Sequence, residues 1–146
     1  MNMEELRRSL EVEEGVLYKV YLDPLGLKTC GIGHLCLEGE PEFHMEPDEP
    51  VTAERVEALF EKDMKTAIED ARQIVSGFDD LPDEVQLVLV EMAFNLGAPR
   101  LSKFKRMIRH VNERRFADAA AEMMDSKWAR QLPGRARRLS DRMAAN

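Results

Sequence analysis

Apolar residues first recur at helical spacing at Met3, Leu6 and Leu10, in a segment that closes on Glu13, Glu14 and Gly15. The spacing predicts a short helix with Gly15 at its C-terminal end, where glycine takes up a left-handed conformation without strain. From Val16 to Leu22 the residues turn β-branched and aromatic (Val16, Tyr18, Val20, Tyr21), and Asp23-Pro24-Leu25-Gly26 is a turn. A second run over Leu27 to Ile32 and a third over His34 to Leu37, joined through Gly31-Ile32-Gly33, complete a small antiparallel sheet. Strands so few and short are not stable alone and must pack on helices.

The segment Glu38 to Pro50 holds six acidic residues and three prolines in thirteen and is expected to be a solvated loop. Thr52 then caps a long helix whose apolar face is Val56, Leu59, Phe60, Met64, Ala67, Ile68, Ala71 and Ile74. After a break over Gly77 to Pro82, the stretch Glu84 to Leu96 is apolar nearly all round, as in a helix at the centre of a core. Gly97-Ala98-Pro99 ends it, and short helices follow around Phe104 to Val111, Phe116 to Met124, Lys127 to Gln131 and Pro133 to Met143, with Pro133 in the first helical position. The order of elements predicts an α+β architecture and one domain over 1–146. In it, helix 1–14 packs on the helical lobe, a sheet lobe occupies about 15–51, a connecting helix about 52–75 and the helical lobe about 76–146, with a cleft between the lobes.

Composition narrows the class. The 146 residues suit one domain, and 44% hydrophobic with 34% charged residues excludes both a disordered tail and a membrane-spanning chain. Glu4, Glu5, Arg7 and Arg8 near the start, with no apolar run, predict a chain made and kept in the cytoplasm until it is released. The two cysteines, Cys30 and Cys36, exclude a disulfide scaffold; they are expected to be buried free thiols, nearly opposite one another across a hairpin, with a bridge under oxidising conditions as the alternative. The net charge of −7 divides unevenly: residues 100–146 hold thirteen Lys and Arg against five Asp and Glu, and the remaining 99 residues hold eight against twenty-three. A basic C-terminal part suits an anionic polymer such as a cell wall, although helix surfaces are also charged merely for solvation.

Glycoside hydrolysis needs two carboxylates, one protonated to serve the leaving oxygen and one ionised to activate water or attack. Residue type alone singles out none of the 28 acidic residues, and by themselves Glu14 is a helix-end charge and Asp23 a turn former. Their context is specific. Glu14-Gly15 followed by Asp23-x-x-Gly26-x-x-Thr29-x-Gly31-Ile32-Gly33-His34-Leu35 resembles the T-even phage lysozyme family, glycoside hydrolase family 24. The likeness continues through Leu59-Phe60, Met92-Ala93-Phe94-Asn95-Leu96-Gly97, Ser126-Lys127-Trp128 and Pro133-Gly134-Arg135-Ala136-Arg137-Arg138.

The resemblance implies a lysozyme-like fold and cleavage of the bond from N-acetylmuramic acid to N-acetylglucosamine in peptidoglycan, leading to host cell lysis. Glu14 is then the proton donor, Asp23 handles the water and Thr29 helps to hold it. Inversion at the anomeric carbon requires carboxylates about 6.5–9.5 Å apart. The resemblance also implies that Arg135 orients Glu14, that His34 pairs with Asp63 for stability, and that Leu35 and Phe94 line the substrate cleft. Two polar positions that bind substrate in the family are Met107 and Glu122 here. It implies a monomer with no metal or organic cofactor, no stable membrane insertion, and release by a separate membrane-permeabilising protein.

His44 and His110 are expected at the surface, and three scattered histidines without H-E-x-x-H do not suit a zinc peptidase. Trp128, the sole tryptophan, is expected to pack in the core. Two other classes compete with the muramidase. One is a glycan-binding relative of the same fold with impaired catalysis, which binds peptidoglycan without releasing reducing ends. The other is a helical module for nucleic acid, which the acidic remainder and the lack of a recognition-helix motif disfavour.

Overall fold

The computed structural model describes residues 1–146. In chain order it contains α1 (Met3–Glu14), β1 (Leu17–Leu22), β2 (Lys28–Gly31), β3 (His34–Leu35), a 3-10 turn (Pro41–His44) and α2 (Ala53–Ile74). A second 3-10 turn (Phe78–Asp80) leads to α3 (Asp83–Leu96), α4 (Ala98–Leu101), α5 (Lys105–Asn112), α6 (Phe116–Met124), α7 (Lys127–Gln131) and α8 (Pro133–Ala144). The class is α+β, a set of eight helices with one three-stranded antiparallel sheet. No helix is long and apolar enough to cross a membrane. The single-turn α4 lies where the sequence suggested only a break. Pro99 sits in its first turn, where a missing N–H has no intrahelical partner to lose.

The chain separates into two compact units, Glu4–Lys65 and Met1–Met3 with Thr66–Asn146. The boundary falls within α2, which is continuous across it.

In the unit Glu4–Lys65, Val20 pairs with Cys30, Tyr21 with Thr29 and Leu22 with Lys28 across β1 and β2, while Thr29 pairs with Leu35 and Cys30 with His34 across β2 and β3. Side chains alternate between sheet faces, and partners across an antiparallel ladder share one. Val20, Cys30 and His34 therefore lie on one face, and all are buried. Tyr21, Thr29 and Leu35 form a row on the other. The outer edge of β1 is closed by residues 48–51, since Val20 N donates to Glu49 O and Val51 N to Tyr18 O, each at 2.9 Å. Helix α1, expected on the helical lobe, falls from Glu4 onward into this unit. Its Arg7 pairs with Glu57 and stands over the Phe60 ring at 5.1 Å, while Leu6 and Leu10 are buried.

The acidic segment before α2 is exposed at most of its positions, as its composition suggested, with one inward exception. Its 3-10 turn carries Glu42 inward to 3% exposure, where Arg55 of α2 grips both carboxylate oxygens. Composition registers polarity, whereas burial was decided by a cation thirteen residues away that can neutralise the charge. Thr52 caps α2 as expected, its Oγ1 accepting from Arg55 N at 3.2 Å.

In the unit of Thr66–Asn146, α3 is the core element, with ten buried residues among its fourteen. Helix α6 packs on α5 and α8, and α8 packs on α3 and α7. The one charge buried at the middle of α3, Glu91 at 1% exposure, is met by Arg142 Nη1 of α8 at 2.8 Å, while Arg142 Nε donates to Glu84 at 2.7 Å. Trp128 is buried, its indole N–H donating to Asn95 Oδ1 at 2.8 Å and its ring edge-on to Phe104 with centroids 6.1 Å apart. It packs, as the sequence suggested.

Candidate active site

Glu14 is the last residue of α1, and Gly15 directly after it has φ +75°, so the chain turns away and leaves the carboxylate at the helix end. Gly33, at φ +63° in the turn between β2 and β3, lies under that side chain. A Cβ built on Gly33 would stand 3.0 Å from Glu14 Cδ and 3.1 Å from Glu14 Cβ, so only glycine leaves room for Glu14 there.

Asp23 follows β1 and organises the β1–β2 turn. Its Oδ1 accepts from Leu25 N and Leu27 N, both at 2.8 Å, its backbone N donates to Leu27 O and its backbone O accepts from Gly26 N. One carboxylate oxygen is therefore fixed by two N–H donors, and Oδ2 of this half-buried residue takes no hydrogen bond within the protein. Thr29 is buried at 7% exposure, and its Oγ1 donates to Leu27 O at 3.1 Å. With that hydrogen spent on a backbone carbonyl, the hydroxyl has only lone pairs to offer a ligand.

Tyr21 belongs to this constellation and was not singled out from the sequence. It pairs with Thr29 across β1 and β2 and lies two residues before Asp23, so strand alternation puts all three on one face. Burial raises the pKa of its phenol above the ordinary value, and the negative charges of Glu14 and Asp23 raise it further. The Tyr21 hydroxyl thus lies in the field of both carboxylates. The period-two spacing from Asp23 was the signal available in sequence.

Beside the site, His34 Nδ1 meets Asp63 Oδ2 of α2 at 2.6 Å, the pair expected from the resemblance, and His34 Nε2 meets Glu40 Oε1 at 2.8 Å, which was not foreseen. Glu40 Oε1 also accepts from Leu37 N at 2.7 Å. Burial of His34 opposes its positive charge, but the hydrogen bonds to Asp63 and Glu40 and their negative charge outweigh it, and its pKa stands above the ordinary value. For Glu40, burial works toward the neutral acid, but His34 and the Leu37 N–H prevail and hold its pKa below the usual carboxylate range. The imidazole ties the start of β3 to α2 and to the segment after the sheet, and so fixes the turn that carries Gly33.

Cys30 and Cys36 are free and buried, with Sγ atoms 3.9 Å apart. They are diagonal rather than opposite: Cys30 faces His34, and Cys36 N donates to Lys28 O at 3.0 Å. Burial, then the neighbouring Cys36, pushes the Cys30 thiol up to about 12.

Of the other expected site residues, Leu35 is exposed in the row with Tyr21 and Thr29. Phe94 on α3 and Arg135 on α8 lie in the unit of Thr66–Asn146, half-buried and buried respectively. Met107 is buried at 1% exposure and Glu122 half-buried. His44 is exposed as expected, whereas His110 is half-buried with Nδ1 enclosed, because α5 lays it along its packed side.

Comparison with known proteins finds relatives over most of the chain. Residues 11–145 match the phage lysozyme family. The chain is 31% identical over 153 residues to probable T4-type lysozyme 2 of Dictyostelium discoideum, covering 92% of this chain and 90% of that protein. It is 30% identical to probable T4-type lysozyme 1 of the same organism, with the same coverage. It is 29% identical to the pre-baseplate central spike protein Gp5 of Enterobacteria phage T4, over 96% of this chain but 27% of the spike protein.

Proposed function

We propose, from the premise that the chain belongs to the phage lysozyme family and is thus a glycoside hydrolase of peptidoglycan, that it cleaves the N-acetylmuramic acid to N-acetylglucosamine β-1,4 bond with inversion, using Glu14 and Asp23. The observation that carries the assignment is the orientation of Asp23 and Thr29. Asp23 has one oxygen locked to two backbone N–H groups and the other unbonded, and on the same face of the sheet Thr29 carries a hydroxyl whose proton is already committed.

A water between them donates one hydrogen to Asp23 Oδ2 and one to Thr29 Oγ1. Its lone pair is then directed away from the sheet, toward a sugar lying over the row of Tyr21, Thr29 and Leu35. Glu14, seated on Gly33, gives its proton to the glycosidic oxygen as the bond to the anomeric carbon breaks. Asp23 takes the proton from the water as its oxygen bonds to that carbon from the opposite face, which inverts the configuration. Leu35 serves as a contact to the glycan, and Arg135 and Phe94 keep the supporting and binding roles that the resemblance implies.

The test is reducing-end release from purified peptidoglycan by the protein, Glu14→Gln and Asp23→Asn, with the first-formed anomer read by NMR. The expected result is release of the α-anomer by the parent and a loss of about 10²–10⁴-fold or more in each folded variant, the range that acid–base catalysis supplies. Equal rates for all three proteins, or a β-anomer as first product, would overturn the assignment.

A further inference from the structure

The strand β3 has only two residues and two pairing positions on β2, which is little backbone bonding for a strand whose preceding turn holds Gly33 under Glu14. A side chain makes up the deficit. Glu40 Oε1 accepts from His34 Nε2 at 2.8 Å and from Leu37 N at 2.7 Å, so a single oxygen grips the first residue of the strand and the chain just beyond its end. Leu37 O in turn accepts from Glu40 N at 2.8 Å, which closes a turn and fixes where Glu40 stands. From the other side, Asp63 Oδ2 of α2 accepts from His34 Nδ1 at 2.6 Å. Glu40 is the more buried of the two carboxylates, its side chain 11% exposed against 27% for Asp63. An ion placed so deep loses hydration that only its contacts can replace.

We propose, on the reading of Glu14 as the proton donor, that Glu40 is a positioning residue for catalysis: through His34 it holds the β2–β3 turn in place beneath Glu14, without itself touching the glycan. The resemblance pairs His34 with Asp63 for stability and assigns nothing to Glu40. The path from Glu40 to the carboxyl is short. His34 follows Gly33 directly, and a Cβ on Gly33 would stand 3.0 Å from Glu14 Cδ and 3.1 Å from Glu14 Cβ, so the Glu14 side chain lies against that backbone along its length. A shift of His34 therefore moves the surface on which Glu14 rests.

The staple depends on the charge of the ring. Both ring nitrogens donate only in the imidazolium form, and a neutral ring turns a lone pair toward one of its two carboxylates. Besides Asp63 and Glu40, the ionisable groups on this face of the sheet or packed against it are Glu42, paired with Arg55 of α2, Lys28, which donates to Phe43 O, and the thiols of Cys30 and Cys36, which burial keeps neutral. His34 is thus the member of the cluster whose charge changes near neutral pH.

The test measures kcat and KM for saccharide release by the parent, Glu40→Gln, Glu40→Ala and Glu42→Gln from about pH 5 to 9, a span that covers an ordinary histidine titration and a raised one. The His34 ring protons are followed by NMR over the same range. Glutamine keeps an acceptor for both donors and loses the charge. At the acid end Glu40→Gln is expected to match the parent, whereas Glu40→Ala is expected to show a kcat about tenfold lower at unchanged KM, short of the about 10²-fold cost of displacing a reacting group by about 1 Å. With one anion fewer beside it, His34 in Glu40→Gln gives up its proton at lower pH than in the parent, and kcat is expected to fall about tenfold below the parent's along that titration. Glu42→Gln breaks a buried ion pair of the same segment and is expected to melt lower while keeping the parent's kcat. Parent kcat in Glu40→Ala at every pH, a deficit in Glu40→Gln that does not follow the His34 titration, or an equal deficit in Glu42→Gln would each overturn the role of Glu40. Glu14→Gln separates this from its premise. If it hydrolyses at the parent rate, the proton donor and the role of Glu40 fall together; if it is inert and the Glu40 variants are unimpaired, only the role of Glu40 falls.

Discussion

The seat of Glu14 on Gly33 can be tested by adding one methyl group. In Gly33→Ala the new Cβ meets Glu14 Cδ at 3.0 Å and Glu14 Cβ at 3.1 Å. Because the second contact is near the root of the side chain, rotating the carboxylate alone does not clear it, and the whole of Glu14 must shift. Holding alanine at φ +63° adds about 1–2 kcal/mol of backbone strain, or a fall in Tm of about 3–6 °C for a chain of this size. Displacing a reacting group by about 1 Å costs about 10²-fold in rate. Gly77→Ala is the control, since φ is +68° there but the nearest atom to a Cβ is Arg114 Nη2 at 3.8 Å. Both variants are expected to melt lower by similar amounts, and only Gly33→Ala to lose about 10²-fold in saccharide release, measured at least 15 °C below (about five times the shift per kcal/mol) either Tm. Equal activity in the two variants would refute a seat for Glu14 on Gly33.

The His34 cluster gives stability a pH dependence. The raised pKa of His34 means its contribution is complete below about 6.5 and is lost as pH rises through the folded-state value; the lowered pKa of Glu40 means its share is complete above about 4.5 and is lost as pH falls. His34→Gln, which leaves Asp63 and Glu40 without their cation, is expected to lose about 3 kcal/mol, with the gap to the parent widest between these pH values and narrowing above; a gap constant from pH 5 to 9 in thermal melts would contradict this. The cysteines should resist iodoacetamide at pH 8 in the folded protein, because Cys30 is pushed up to about 12, and both should react in denaturant; rapid labelling of the native chain would contradict the buried pair.

What was legible in the sequence was what is set by neighbours along the chain. Helix α3 announced itself because a stretch apolar on every side has only a core to occupy, and α2 because its apolar residues fall on one stripe. The turn at Asp23 is likewise local: the bonds that hold its carboxylate reach no further than Leu27. Alternation across β1 even contained Tyr21, which an argument confined to acids and threonine passed over. The resemblance supplied the partnership of His34 with Asp63, which no spacing rule between residues 29 apart would give.

The misjudged features share a different cause. Glu40 and Glu42 looked solvated because acidic residues beside prolines usually are, but a 3-10 turn delivered them to His34 and Arg55. The cysteines missed direct opposition because the turn centred on Ile32 and Gly33 sets Cys30 against His34, which leaves Cys36 one diagonal away. In each case the outcome turned on where a returning segment met a charge or a strand already in place, and that distance is not written in composition. The same logic separates two regions of the molecule. Glu14, Asp23 and Thr29 are held by contacts to Gly33, Leu25 and Leu27, all within the first unit and close along the chain, so a short motif suffices to specify them. A cavity at Trp128 takes its residues from five elements between Leu96 and Trp128, and of its lining the sequence marked only Leu96, Met107, Glu122 and Ser126-Lys127-Trp128, through the resemblance. Its enclosure exists only once α3 to α7 have packed.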